Sequence, residues 1–263
     1  MTAASIPRAS RARRQRLNEV VISTLVTRIV SGEYSSGDRL PTEIELGDEF
    51  GVSRTVVREA AKVLEDKGLV YIRQGQGCTV LPSERWRVMD SDILSAQLEH
   101  DSDGLVLEDF TFVREALECE MAARAATRMT PEVERRGREL LDLGAANIGD
   151  PDVFLEFDYA FHELVMETSG ADLAFGLMKT LTKPLHATRR MFNRIPGTIE
   201  HGQQGHEALF RALVSGDADG ARVEMRDHLE WLKNRMTQGL LGDAGTTTGA
   251  SSPSGSRTAG VLE

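Results

Sequence analysis

Leu17, Val21, Leu25 and Ile29 recur every four residues, with Val26 and Val30 beside them. That spacing predicts an amphipathic helix from about Arg13 to Glu33. "SGEYSSGDRLP" then reads as a loop. Thr42 and Glu45 form the Thr-x-x-Glu pattern of a capping box, so a short helix opens there, and Gly51 suits its left-handed stop. Ser53 stands at the N-cap of a third helix, which runs to about Lys67 and stops at Gly68. Its inward face is Val57, Ala60, Ala61 and Leu64. The pattern then changes period: "LVYIR" and "CTV" read as short strands around the glycine-containing turn "QGQG".

Beyond residue 104 every long segment carries the helical period, with helices expected near 105–129, 131–145, 151–168, 171–193, 200–215 and 217–240. The breakers between them are "TP", "GDP", "SG", "PG" and "SGD". Six helices joined by short turns imply an antiparallel bundle. The expected fold class is mainly α, an N-terminal helix–turn–helix with a hairpin wing followed by an antiparallel all-α bundle. The domains are 1–82, with a mobile arm at 1–12, a connector at 83–104, the bundle at 105–240, and a tail at 241–263. The tail, "GDAGTTTGASSPSGSRTAG" for most of its length, is too polar and small to build a core.

Charge changes this picture. The 263 residues carry a formal net charge of -10, yet residues 1–82 hold 12 Lys/Arg against 10 Asp/Glu, a net of +2. The acidity therefore belongs to the bundle, and the first domain is the one suited to an anionic partner. No apolar run is long enough to span a membrane, and none follows the Arg-rich N-terminus in the manner of a signal peptide. Two cysteines, Cys78 and Cys119, form no framework and fit a reducing, cytoplasmic setting as small packing residues.

Arg54, Thr55, Arg58 and Lys62 lie on the third helix opposite its apolar face. Arginine can donate two hydrogen bonds to guanine O6 and N7, and it also suits phosphate. Gln74 and Gly75, at the hairpin tip, can approach a backbone or minor groove. The plain alternative is a set of solvated helix charges, but the helix order, the caps and the hairpin favour DNA reading. At this point the sequence resembles the GntR family of bacterial transcription regulators. The stretch "LPTEIELGDEFGVSRTVVREAAKVLEDKGLV" followed by "RQGQGCTV" is similar to that family's winged helix-turn-helix over about 70 residues. The resemblance implies double-stranded DNA as partner, with Arg54 and Arg58 reading it. Members commonly place Arg where this chain has Ile44, so one usual contact is missing.

In the bundle, Asp158 and His162 are one turn apart, His206 precedes Leu209, Phe210 and Leu213, and His228 is grouped with Met225, Leu229 and Leu232. All four face the interior. One carboxylate and three imidazoles can bind a divalent d-block ion with positions left open. A lone histidine on an apolar face is more often a packed core residue. Here, however, the all-helical half resembles the FCD ligand-binding domain of the FadR branch, whose metal-binding members match at "DYAFH", "GHEALFRAL" and "DHLEWL". The donor set suits zinc first, with nickel or manganese as alternatives, and the resemblance implies that these four residues are the ligands. It also implies that Arg114 points inward and clamps a ligand carboxylate; the residue pattern alone equally allows a surface ion pair between Arg114 and Glu118. His186, His201, Arg189 and Arg190 are expected at solvated positions without a role.

The combined expectation is a homodimeric transcription regulator, not an enzyme. It would repress from an inverted-repeat operator and be released by a small carboxylate bound at the metal. The connector "ERWRVMDSDIL" resembles FCD regulators of sugar-acid metabolism. A direct metal sensor and a metal-dependent hydrolase are the other readings of the same residues; the absence of a general base beyond the ligands weighs against the hydrolase.

Overall fold

The first apolar stripe folds as helix α1 (Arg8–Val30), which buries Val21, Leu25, Val26 and Ile29. The computed structural model describes residues 8–73 and 75–244, with side chains described over 15–73 and 75–235. Residues 8–12 of the expected arm therefore belong to α1, and the rest of the arm lies outside the described residues. The helix ends short of Glu33 because Gly32 turns left-handed at φ 83°.

Helix α2 (Glu43–Phe50) has both halves of the capping box: Glu45 N donates to Thr42 Oγ1 at 3.3 Å, and Thr42 N donates to Glu45 Oε2 at 2.7 Å. It stops at Gly51, φ 62°. Helix α3 (Arg54–Asp66) begins after Ser53, whose side chain makes no capping bond. Val56, Val57, Ala60 and Leu64 are buried on it, whereas Ala61 is only half-buried. Gly68 ends the segment at φ 77°, and a Cβ there would sit 2.3 Å from the carbonyl oxygen of Arg85. Only glycine satisfies both constraints. Strands β1 (Val70–Arg73) and β2 (Gly77–Val80) pair antiparallel with Val70 opposite Val80 and Arg73 opposite Gly77.

The expected connector is more than a linker. Its second half is helix α4 (Ser91–Glu99), capped by Asp90, whose carboxylate accepts from Asp92 N at 3.0 Å and Ile93 N at 3.3 Å. Ile93 and Ala96 complete the core under α1 and α3, while Leu98 joins the core of the bundle. Nine residues are too few for a helical period to show, which hides α4 in the sequence. Lys67, just past the end of α3, reaches Asp90 and Asp92 at 2.7 Å each.

The bundle comprises α5 (Leu105–Ala126), α6 (Pro131–Ala146), α7 (Pro151–Thr168), α8 (Asp172–Thr180), α9 (Thr182–Phe192), α10 (Thr198–Val214) and α11 (Ala218–Ala244). The single helix expected over 171–193 is two. The break falls at Leu181, three residues before Pro184, whose ring would clash with the carbonyl of residue 180 in a continuous helix. Lys183, at the start of α9, shares Asp92 with Lys67. Helix α11 continues through 241–244, inside the span expected as tail; residues 245–263 lie outside the described residues. Among the described residues no helix is long and apolar enough to cross a membrane.

Candidate functional site

Helix α7 is started by Asp150, whose side chain accepts from Val153 N, and by Pro151 in its first turn. Its buried face runs Phe154, Leu155, Asp158, Phe161, His162 and Val165, the i, i+3, i+4 stripe of a core-facing helix. Asp158 and His162 thus project from adjacent turns into the bundle. Helix α10 supplies His206 and α11 supplies His228. The close approach of these two helices depends on Gly205, where a Cβ would lie 2.7 Å from His228 Nδ1.

The donor atoms of Asp158, His162, His206 and His228 all lie within 4.8 Å of one another. His162 Nε2 is 3.2 Å from His206 Nε2, which is 3.1 Å from Asp158 Oδ1. All four residues are buried, His162 and His206 at 1 % exposure. His228 Nε2 is buried with no hydrogen-bond partner. A buried, unpaired polar atom is costly unless something binds it. Together with an N3O donor set, that orphan fits a divalent d-block ion.

Two buried ion pairs flank the cluster. Arg114 Nε donates to Glu118 Oε1 at 2.7 Å, and the other oxygen of Glu118 lies within hydrogen-bonding distance of His162 Nδ1, at 2.9 Å. Arg189 Nη1 stands 2.8 Å from Asp158 Oδ2, out of hydrogen-bonding alignment. Burial opposes ionisation of Glu118, but the Arg114 guanidinium and the His162 bond outweigh it and hold the carboxyl well below its usual range. Burial likewise opposes the charge on Asp158, and Arg189 outweighs it. Burial and the Arg189 charge push His162 down to about 4. Burial, then the neighbouring rings of His206 and His162, push His228 well below the ordinary histidine value. His162 and His228 are therefore held neutral, the form in which imidazole binds metal.

The structure brings together the four residues read as metal ligands and places Arg114 beside them. Arg114 does pair with Glu118, but inside the bundle and not on its surface. Arg189 departs from expectation: it is 4 % exposed against Asp158, where a solvated position was expected. Its signal was present, since Leu185, Thr188, Arg189 and Phe192 share one buried face of α9. Glu118 was weighed only as a surface partner of Arg114, because a helical period cannot show that its second oxygen meets a histidine 44 residues away. His186 is half-buried against Tyr159 and His201 stacks on Trp231, so neither is simply solvated; Arg190 is exposed as expected.

At the other end of the chain, Arg54, Thr55, Arg58 and Lys62 are all exposed on α3. A groove of about 600 Å³ between α3 and the hairpin is lined by Arg58, Lys62, Arg73 and Gly75 among others. Gly75 takes φ 76° in the turn; Gln74 lies outside the described residues. Arg58 is held by Glu43 through a two-point contact, Nε to Oε1 at 3.0 Å and Nη2 to Oε2 at 2.8 Å. Ile44, next to Glu43, is 49 % exposed.

Comparison with known proteins agrees with this layout. Residues 17–80 match the bacterial regulatory proteins of the gntR family, and residues 109–230 match the FCD domain. The HTH-type transcriptional regulator YieP of Escherichia coli is 32% identical over 212 residues, covering 80% of this chain and 91% of that protein. The galactonate operon transcriptional repressor of Escherichia coli is 31% identical, over 76% of this chain and 88% of that one. Among solved structures, Lar, which controls the expression of the Listeria monocytogenes agr system, has a similar fold. Its TM-score is 0.57 at 16% identity, over 84% of this chain and 96% of that chain. With an exposed basic helix and a hairpin at one end and a buried histidine cluster in the helical domain at the other, this chain belongs to the gntR family of bacterial transcription regulators and carries an FCD domain, and it is not an enzyme.

Proposed function

We propose that the chain is a homodimeric repressor that binds an inverted-repeat operator and leaves it when a small carboxylate, of the sugar-acid or hydroxy-acid class, binds in the bundle. The observation that carries this reading is the convergence of Asp158, His162, His206 and His228 beside a half-used arginine. Arg114 spends its Nε on Glu118, while its Nη2 is buried with no partner. A carboxylate entering the site would satisfy that donor. Zinc, or else nickel or manganese, held by the four residues would supply a Lewis-acid seat for a carboxylate or hydroxyl oxygen. Arg189 holds Asp158 with Oδ1 turned toward the histidines. Supporting the ligand class, two similar proteins are named for the galactonate operon and, at 30% identity, for the L-lactate dehydrogenase operon.

For DNA, Arg54, Thr55, Arg58 and Lys62 enter the major groove, and Gly75 in the hairpin turn approaches the backbone or minor groove. The bundle need not be basic, because two symmetric copies of a locally positive surface suffice. A thermal-shift screen of sugar acids, hydroxy acids and dicarboxylates, on zinc-loaded and chelator-stripped chain, tests the reading. Stabilisation by a carboxylate in the loaded chain alone supports it. Stabilisation by added zinc with none by any carboxylate would favour direct metal sensing instead.

A further inference from the structure

Glu118 sits between the two features on which the proposed function rests. One carboxylate oxygen accepts from Arg114 Nε at 2.7 Å, and the other lies 2.9 Å from His162 Nδ1. The residue is 1 % exposed, so bulk solvent does not reach either oxygen. An ionised carboxylate only accepts hydrogen bonds. Paired with a guanidinium, Glu118 is ionised, and the proton on that side of the His162 ring therefore sits on Nδ1. In the neutral ring this leaves the Nε2 lone pair bare, and Nε2 is the atom facing His206 and Asp158, at 3.2 Å and 3.9 Å. The opposite tautomer would put a lone pair against the carboxylate and a proton into the cluster.

We propose that Glu118 is the positioning residue of this centre: it fixes the tautomer and ring plane of His162 for metal binding and ties that ring to Arg114, so that a ligand drawing on Arg114 is felt at the metal. The inference rests on the metal reading given under the proposed function, but its geometry involves only this chain's own atoms. A carboxylate behind a metal-binding imidazole raises the basicity of the ring and fixes its direction. Here the same carboxylate also neutralises a buried arginine, so metal and ligand affinities are linked and the linkage is reciprocal.

Two measurements on the full chain test this. In metal-free wild type labelled with 15N-histidine, His162 is expected in the Nδ1–H tautomer, identified by loss of its signals in His162→Gln. Finding Nε2–H as the main form would overturn the proposal. In Glu118→Gln, competition against a chromophoric zinc chelator is expected to show about 10- to 100-fold weaker zinc binding. Wild-type zinc affinity in a folded Glu118→Gln would overturn it as well. Should that variant not fold, the tautomer measurement, which uses only wild type, still decides. No zinc binding by wild type itself would sink the metal reading and this inference with it, whereas normal binding by wild type and variant alike would sink the inference alone.

Discussion

The proposed reading of DNA by Arg54 and Arg58 can be measured one residue at a time. Arg54→Ala or Arg58→Ala is expected to weaken operator binding by about 1–3 kcal/mol and to relax base preference at one position, with unchanged folding. Gel-shift titrations on wild type and variants check this, and equal affinity with equal base preference would remove α3 as the reading helix. In the bundle, Arg114→Ala is expected to retain zinc, with affinity lowered through Glu118, and to weaken carboxylate binding to the zinc-saturated chain by about 1.5–3 kcal/mol, roughly 10- to 150-fold. Calorimetry with an identified carboxylate measures it. Acid should also act on single residues. The folded value of His162 is depressed to about 4, and that of His228 is also depressed, so the buried rings resist protons that the unfolded chain accepts. Their contribution is therefore fully present above about pH 6.5, the ordinary histidine value, and is lost as pH falls toward 4. Melting of chelator-stripped chain between pH 7.5 and 4.5 should show that loss, and an unchanged melting temperature would contradict it. The four candidate ligands were legible because each sits at an apolar helical position, such as His206 ahead of Leu209 and Phe210. Glu118 was not, since a charged residue's burial depends on which helix lies opposite, and one sequence does not carry that; Arg189 was missed although Leu185, Thr188 and Phe192 mark its face of α9 as buried.

Helices with long stripes and chemical stop signals were legible to within a few residues. The capping box at Thr42 and the proline starts of α6 and α7 set their ends locally, and those ends agree with expectation. The break at Leu181 was missed although Pro184 announces it, because the apolar residues on either side keep nearly the same period. Helix α4 was missed because its burial is shared between two cores and its own pattern is short. The contact of α10 with α11 yields a prediction at this scale. Gly205→Ala would place a methyl group 2.7 Å from His228 Nδ1, so the helices must part or the ring must turn. Alanine is otherwise a good helix residue. The expected result is near-native helicity by circular dichroism with clearly weaker zinc binding, and undiminished zinc affinity would show that the site tolerates the displacement.

For the whole molecule, the two ends of the chain are joined through α4 and α9. Lys67, at the end of α3, and Lys183, at the start of α9, share Asp92, and α9 also carries Arg189 against Asp158, one of the candidate metal ligands. A ligand can shift operator affinity only by binding the two arrangements of the molecule unequally. If this ionic joint helps transmit that difference, Asp92→Ala should leave zinc and carboxylate affinities unchanged while the ratio of operator affinities without and with ligand shrinks toward one. The most direct test of the central claim is operator release in the metal-loaded and chelator-stripped chain, read by fluorescence anisotropy on an operator selected from random duplex DNA. A small hydroxycarboxylate is expected to release the metal-loaded chain and to leave the stripped chain bound. Equal release of both forms by the same carboxylate would contradict a metal-centred effector site.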